Sequence, residues 1–239
     1  MTRLARSAFA ISTAAMWLTH SVTAQNQLKL QSTQDKRDEY NVILRKVFKR
    51  IYGPDLVLSV LCVPSFVPEE AAGILRTSQG YQVFAATPSA STWETEYHRF
   101  IKEAGANGRE IPYNRAKNLK KGLPYDYRGI KTRIQARPVS AGLAERIKQL
   151  WQAKLLEALH PRRTPDEIER YIVLDGVSYH YSMPLRGQGI VTAEGLLAVE
   201  NTPVWLMGEL SEKLIAYAKG KASEDDLKKA LRRVENKKT

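Results

Sequence analysis

The chain has 239 residues, 43% of them hydrophobic, with 37 Lys and Arg against 25 Asp and Glu, a formal net charge of +12. A single cysteine excludes an intrachain disulfide scaffold, and long periodic apolar stretches exclude a largely disordered chain. Beyond the first residues the longest apolar run, Leu56–Val63, is too short to span a bilayer, which excludes a polytopic membrane protein.

Arg3 and Arg6 precede a largely apolar stretch over 8–18, and Val22-Thr23-Ala24 places small residues at the −3 and −1 positions of a signal-peptidase site. The pattern predicts a signal peptide over 1–24, cleaved after Ala24. The mature chain would carry a net charge of +10 and reside in a bacterial periplasm or outside the cell. Residues 33–52 read as a helix, because Tyr40, Ile43, Leu44, Val47, Phe48 and Ile51 recur at spacings of three and four. Gly53-Pro54 ends it. Leu56–Val63 reads as a buried strand that encloses Cys62 as a small hydrophobe. Ala71–Arg76 and Tyr81–Ala86 read as a hairpin around Thr77-Ser78-Gln79-Gly80.

Ser91 and Glu94 form a capping box, followed by a short helix whose apolar face is predicted to be Trp93, Tyr97, Phe100, Ile101 and Ala104. The polar stretch 105–128 holds five Gly or Pro before Tyr125 and is too long for a plain connector. Alternation over 128–137 predicts a strand with Ile130, Thr132, Ile134 and Ala136 buried and a basic opposite face. Ser140 starts the strongest helix, with Leu143, Ile147, Leu150, Trp151, Leu155, Ala158 and Leu159 in one stripe. Residues 171–181 read as a hairpin turning at Asp175-Gly176, which would set Tyr171 opposite His180. A further strand is expected within 189–199. Thr202-Pro203 and Ser223 then cap two final helices. The order predicts an α+β fold, a mainly antiparallel sheet with helices packed on it. It is read as a single domain over 25–222, followed by a basic helix over 223–239.

Two constellations carry possible chemistry. Ser178, His180 and Ser182 share one strand face. They present either a ligand or partner surface with His180 as a proton-transfer group, or a solvated outer face of the sheet. Basic charge concentrates in 105–138, net +7, and in 228–238, net +5. In the first segment Tyr113, Tyr125 and Tyr127 are interleaved with the cations, which suits an anionic partner. Glu69-Glu70 read as solvated turn charges. After residue 25 the three histidines, His98, His160 and His180, lie in different elements, and no metal-binding, nucleotide-binding or acyl-transfer motif occurs, so no cofactor or metal is expected.

The segment Leu174–Tyr181 resembles a Leu-Asp-Gly-x-x-Tyr-His-aromatic segment of uncharacterised exported proteobacterial proteins. Val63-Pro64-Ser65-Phe66 and the Leu150-Trp151 helix are similar to the same group. That resemblance implies export and architecture and carries no activity.

The leading expectation is a non-catalytic exported interaction or inhibitor (immunity-like) protein with a protein partner in the cell envelope. Its contacts would be Tyr125, Tyr127, Lys131, Arg133 and Arg137, with Tyr171 and His180 beside them. One alternative is a cofactor-free envelope hydrolase using His180 as base and Ser178. The other is a binder of anionic lipid or glycan, and nucleic acid ranks below all of these.

Overall fold

The computed structural model describes residues 22–23, 29–30, 39–64, 67–106, 124–159, 170–171, 176–196 and 200–237. The leader-like pattern therefore lies almost wholly outside the described residues, as do 107–123 of the basic stretch and Asp175 of the expected turn. The strands are β1 Val22–Thr23, β2 Lys29–Leu30, β3 Leu56–Pro64, β4 Glu70–Thr77, β5 Gly80–Pro88, β6 Thr132–Val139, β7 Arg170–Tyr171, β8 Val177–Leu185 and β9 Gly189–Leu196. The helices are α1 Glu39–Val47, α2 Thr92–Ala106, α3 Ala141–Leu159, α4 Pro203–Ala218 and α5 Glu224–Asn236. Short 3-10 turns occupy Lys49–Ile51 and Tyr127–Gly129.

An antiparallel sheet runs in the order β2-β9-β8-β3-β4-β5-β6, and β1 pairs separately with β7. The architecture is α+β, as the order of elements predicts. One sheet face carries Leu58, Val60, Ile74, Val83, Tyr179, Tyr181 and Val191, which pack against α3, α4 and α5. The other carries Leu61, Ala71, Phe84 and Ala86 under α1. Strand alternation feeds both layers, which is why β3 reads as a continuous apolar run. Leu227, Leu231 and Val234 of α5 are fully buried in the three-helix layer, so the C-terminal basic helix shares the main core.

Local signals act as their chemistry dictates. Thr202 Oγ1 accepts from the Trp205 amide and Pro203 opens α4, while Ser223 and Asp226 form a reciprocal capping box on α5. Gly80, at φ 119°, closes the β4–β5 hairpin. Gly73 lets β4 press on β3, since a Cβ there would lie 2.1 Å from the Leu58 carbonyl oxygen.

Four expectations need correction. The 171–181 hairpin does not form, because β8 is an interior strand with β3 on one edge and β9 on the other. Its hairpin partner is β9, reached through Arg186-Gly187-Gln188, where Gly187 and Gly189 supply positive φ. Tyr171 pairs instead with Val22. On α2 the expected face divides: Ile101 is buried, Tyr97 is half-buried, and Trp93 and Phe100 are exposed, while Thr92 and Thr95 are buried instead. The expected buried face over 128–137 is covered only at its start: Ile130 is buried, but β6 forms the sheet edge, where Ala136 is exposed and Ile134 is 41% exposed. Finally, Glu69 is buried, its carboxylate accepting the Thr92 amide at 2.9 Å, the Trp93 amide at 3.0 Å and the Tyr40 hydroxyl. Glu70, on the opposite face, binds Lys219 and accepts from Thr87 Oγ1 at 3.1 Å.

Candidate functional site

The basic aromatic surface assembles where α1 ends, the 127–129 turn crosses and β6 begins. Asp126 caps that turn by accepting the Arg128 amide at 2.8 Å, and the Tyr127 amide donates to Glu96 of α2 at 2.9 Å. Thr132 Oγ1 donates to the Val47 carbonyl at 3.0 Å, tying the strand to the helix end. These bonds fix Tyr127 between two cations. The Lys46 ammonium stands 5.5 Å from the ring centroid and 3.5 Å from the hydroxyl, and the Arg128 guanidinium stands 5.8 Å from the centroid. Arg128 first and Lys46 second hold the Tyr127 hydroxyl below the usual phenol range, because both stabilise the phenolate.

At this rim Lys46 and Arg128 are both exposed, as are Arg45, Lys49, Arg50 and Lys131 of the segments that meet here. The contributing segments 39–51 and 124–133 hold seven basic residues against two acidic ones. Tyr125, 56% exposed, lies beside the rim with the Lys102 ammonium 5.9 Å from its ring centroid.

Of the residues singled out from sequence, Tyr125 and Tyr127 thus belong to one surface, and exposed Lys131 follows them in the chain. Arg133, opposite Thr87, is exposed but turns to the other face of the sheet. That face also holds Arg137. Its guanidinium lies 4.6 Å from the Tyr217 ring centroid and donates to the carbonyls of Tyr217 and Ala222, each at 3.2 Å, where it satisfies the end of α4. Lys46 was missed, and so was Lys102. The available signal for Lys46 was the run of cations at 45–50, whose last-turn position has an ordinary helix-dipole explanation.

His180 occupies a different place. It faces the same side of the sheet as the α1 layer, opposite Leu61 on β3 and Glu194 on β9. Four strand spacings separate β8 from β6, about 19 Å. The Ser178-His180-Ser182 face is not wet, since His180 is 8% and Ser182 5% exposed. Ser182 and Thr192 hydroxyls meet at 3.1 Å, so Ser59, Ser182 and Thr192 form a polar row in which Ser59 and Ser182 are buried and Thr192 is half-buried. Ser178 lies two residues along the strand from His180, about 7 Å away.

On the helix-covered face, Tyr179 donates to Glu212 at 3.0 Å beside Cys62 and the Lys219–Glu70 ion pair. Burial, then Glu212 and Glu70, push the Cys62 thiol well up, which holds it protonated and unreactive at neutral pH. Among the described residues no group of three or more His, Cys, Asp or Glu side chains converges as a metal site. No helix among them is long and apolar enough to cross a membrane.

No family model, curated protein or solved structure matches this chain.

Proposed function

We propose that this is an exported, non-catalytic binding protein that holds an acidic protein partner of the cell envelope through the rim around Tyr127. In that role it would occlude an enzyme or toxin. The observation that carries the reading is the fixed pair of cations on Tyr127, set within a surface whose contributing segments are strongly basic. A tyrosine flanked by arginine and lysine is the composition of interface hot spots, and the bonds to Glu96 and Val47 preorganise it. The leader-like start supports the envelope as the location. A protein partner is preferred over anionic lipid or glycan because the cations are pinned singly around one ring.

Poly-L-glutamate is the simplest acidic probe. Titrated by calorimetry at low salt, it should bind the full chain and lose affinity steeply as salt rises. Lys46→Glu with Arg128→Glu should weaken it about ten-fold or more. The same charge change on α5, Lys229→Glu with Arg232→Glu, should leave it within about two-fold. Equal loss from both double variants would reduce the effect to net charge and remove the reading.

A second reading, a hydrolase using His180, is favoured by one observation: the buried imidazole stands directly across from Glu194. Under the binding reading His180→Ala leaves polyglutamate affinity unchanged and costs about 1–3 kcal/mol of stability, because it opens a hole in a packed polar stripe. Hydrolytic turnover by the purified protein that falls by orders of magnitude in His180→Ala would transfer the assignment to the enzyme.

A further inference from the structure

The outer edge of β6 ends the sheet, and among the described residues no strand pairs with it. Which backbone groups point outward follows from the register. The Ser89 amide donates to the Lys131 carbonyl at 2.7 Å and the Lys131 amide to Ser89 Oγ, so Lys131 turns its polar groups inward. Alternation then turns those of Arg133, Gln135 and Arg137 toward β5, and those of Thr132, Ile134, Ala136 and Pro138 away from it. Both prolines agree: Pro88 opposite Thr132 and Pro138 opposite Gln82 sit at positions whose N–H would not enter the ladder. The Pro138 carbonyl is taken by the Tyr217 hydroxyl. Ile134 and Ala136 therefore offer two N–H and two C=O groups at an exposed edge, with the basic rim at its start.

We infer that β6 receives an extended acidic segment of the partner as an added strand. Its backbone would pair with Ile134 and Ala136, and its carboxylates would lie on Lys131 and Arg133. This rests on the binding reading above and specifies its mode. Main-chain bonds supply affinity in such additions, and alternate side chains supply selectivity. Charge decides the occupant. A second copy pairing on a two-fold through Gln135 would set Arg133 opposite the other copy's Arg137, and like charges opposite each other oppose pairing. An acidic strand meets Lys131 and Arg133, both exposed, favourably.

The test uses the full chain and a capped peptide of about eight residues alternating Glu and Val, with hydrogen exchange read amide by amide. Binding should slow exchange at Ile134 and Ala136 about ten-fold or more and leave Gln135, already paired with β5, unchanged. N-methylation of alternate peptide amides should weaken binding about ten-fold. If the peptide and polyglutamate bind and both respond to Lys46→Glu with Arg128→Glu, yet the edge amides stay unprotected, strand addition is wrong and the acidic-partner reading stands. If neither probe binds, both fall. Slow exchange at Ile134 and Ala136 without peptide would also overturn strand addition: the edge would be covered by a second copy if protection grows with concentration, and by this chain if it does not.

Discussion

Glu69→Ala is expected to lower the stability of the fold by about 3 kcal/mol, with Glu69→Gln losing less than half of that. The carboxylate accepts two backbone amides at the start of α2 and the Tyr40 hydroxyl of α1, and it does so while buried. Alanine leaves the Thr92 and Trp93 amides without their acceptor, at about 1–3 kcal/mol for each donor left buried and unsatisfied. Ser91 still covers the Glu94 amide at 3.2 Å, which bounds the loss. Glutamine keeps one acceptor oxygen in place and gives up the charge that favours the helix start. Urea unfolding of the three proteins measures the difference. A loss under about 1 kcal/mol for Glu69→Ala would mean that water reaches this helix end. The consequence extends to the rim, since α2 also supplies Glu96 to the Tyr127 amide and Lys102 to Tyr125. A frayed start of α2 should therefore weaken polyglutamate binding while every rim cation remains.

Glu69 also marks the limit of what the chain reveals on its face. The α+β class, the β4–β5 hairpin, the long strand around Cys62 and the caps at Thr202 and Ser223 were legible because each is governed by residues close in sequence. The partnership of Glu69 with an amide 23 residues away was not, and a pair of adjacent glutamates before a strand looks like a solvated turn. The same reason explains β8. Asp175-Gly176 is strong local turn chemistry, but the ladder partners are set by long-range burial, and β3 and β9 take both edges of the strand. Alternation in β6 was read correctly as a period and misread as a depth, because periodicity does not say whether a strand lies inside a sheet or at its edge. For the candidate site, Tyr125, Tyr127 and Lys131 were visible within a run of aromatics and cations, but the run did not say that Arg133 and Arg137 turn to the other face of the sheet. Lys46 reaches the Tyr127 hydroxyl from a segment distant in sequence, held there in part by the bond from Thr132 to Val47, 85 residues apart.

Alkaline pH should unfold this protein in two stages, and the sign follows from which state holds the protons. The Cys62 thiol is pushed up by burial and by Glu212 and Glu70, and burial is the chief cause raising both Tyr179 and Tyr181. Below about pH 8.5 all three groups are protonated in both the folded and the unfolded chain and contribute no pH dependence. Above that value the unfolded chain releases the thiol proton while the folded chain keeps it, so stability falls by about 1.4 kcal/mol per pH unit. Above about pH 10 the two phenols join, with Tyr52 and Tyr217, which burial also raises, and the slope steepens to about 4 kcal/mol per pH unit or more. A domain of ordinary stability, about 5–15 kcal/mol, would then unfold within about two to three units above the phenol range. Urea midpoints from pH 7 to 10.5 read the first stage and its steepening, and Cys62→Ala should flatten the portion between about pH 8.5 and 10. Tyr179→Phe should take about 1.4 kcal/mol per pH unit from the steeper portion, although it also takes away the bond to Glu212. A wild-type curve that stays level to pH 10 would show that solvent reaches Cys62. A level curve would also mean that the helix-covered face, where Tyr179, Tyr181 and Cys62 pack, is open to solvent.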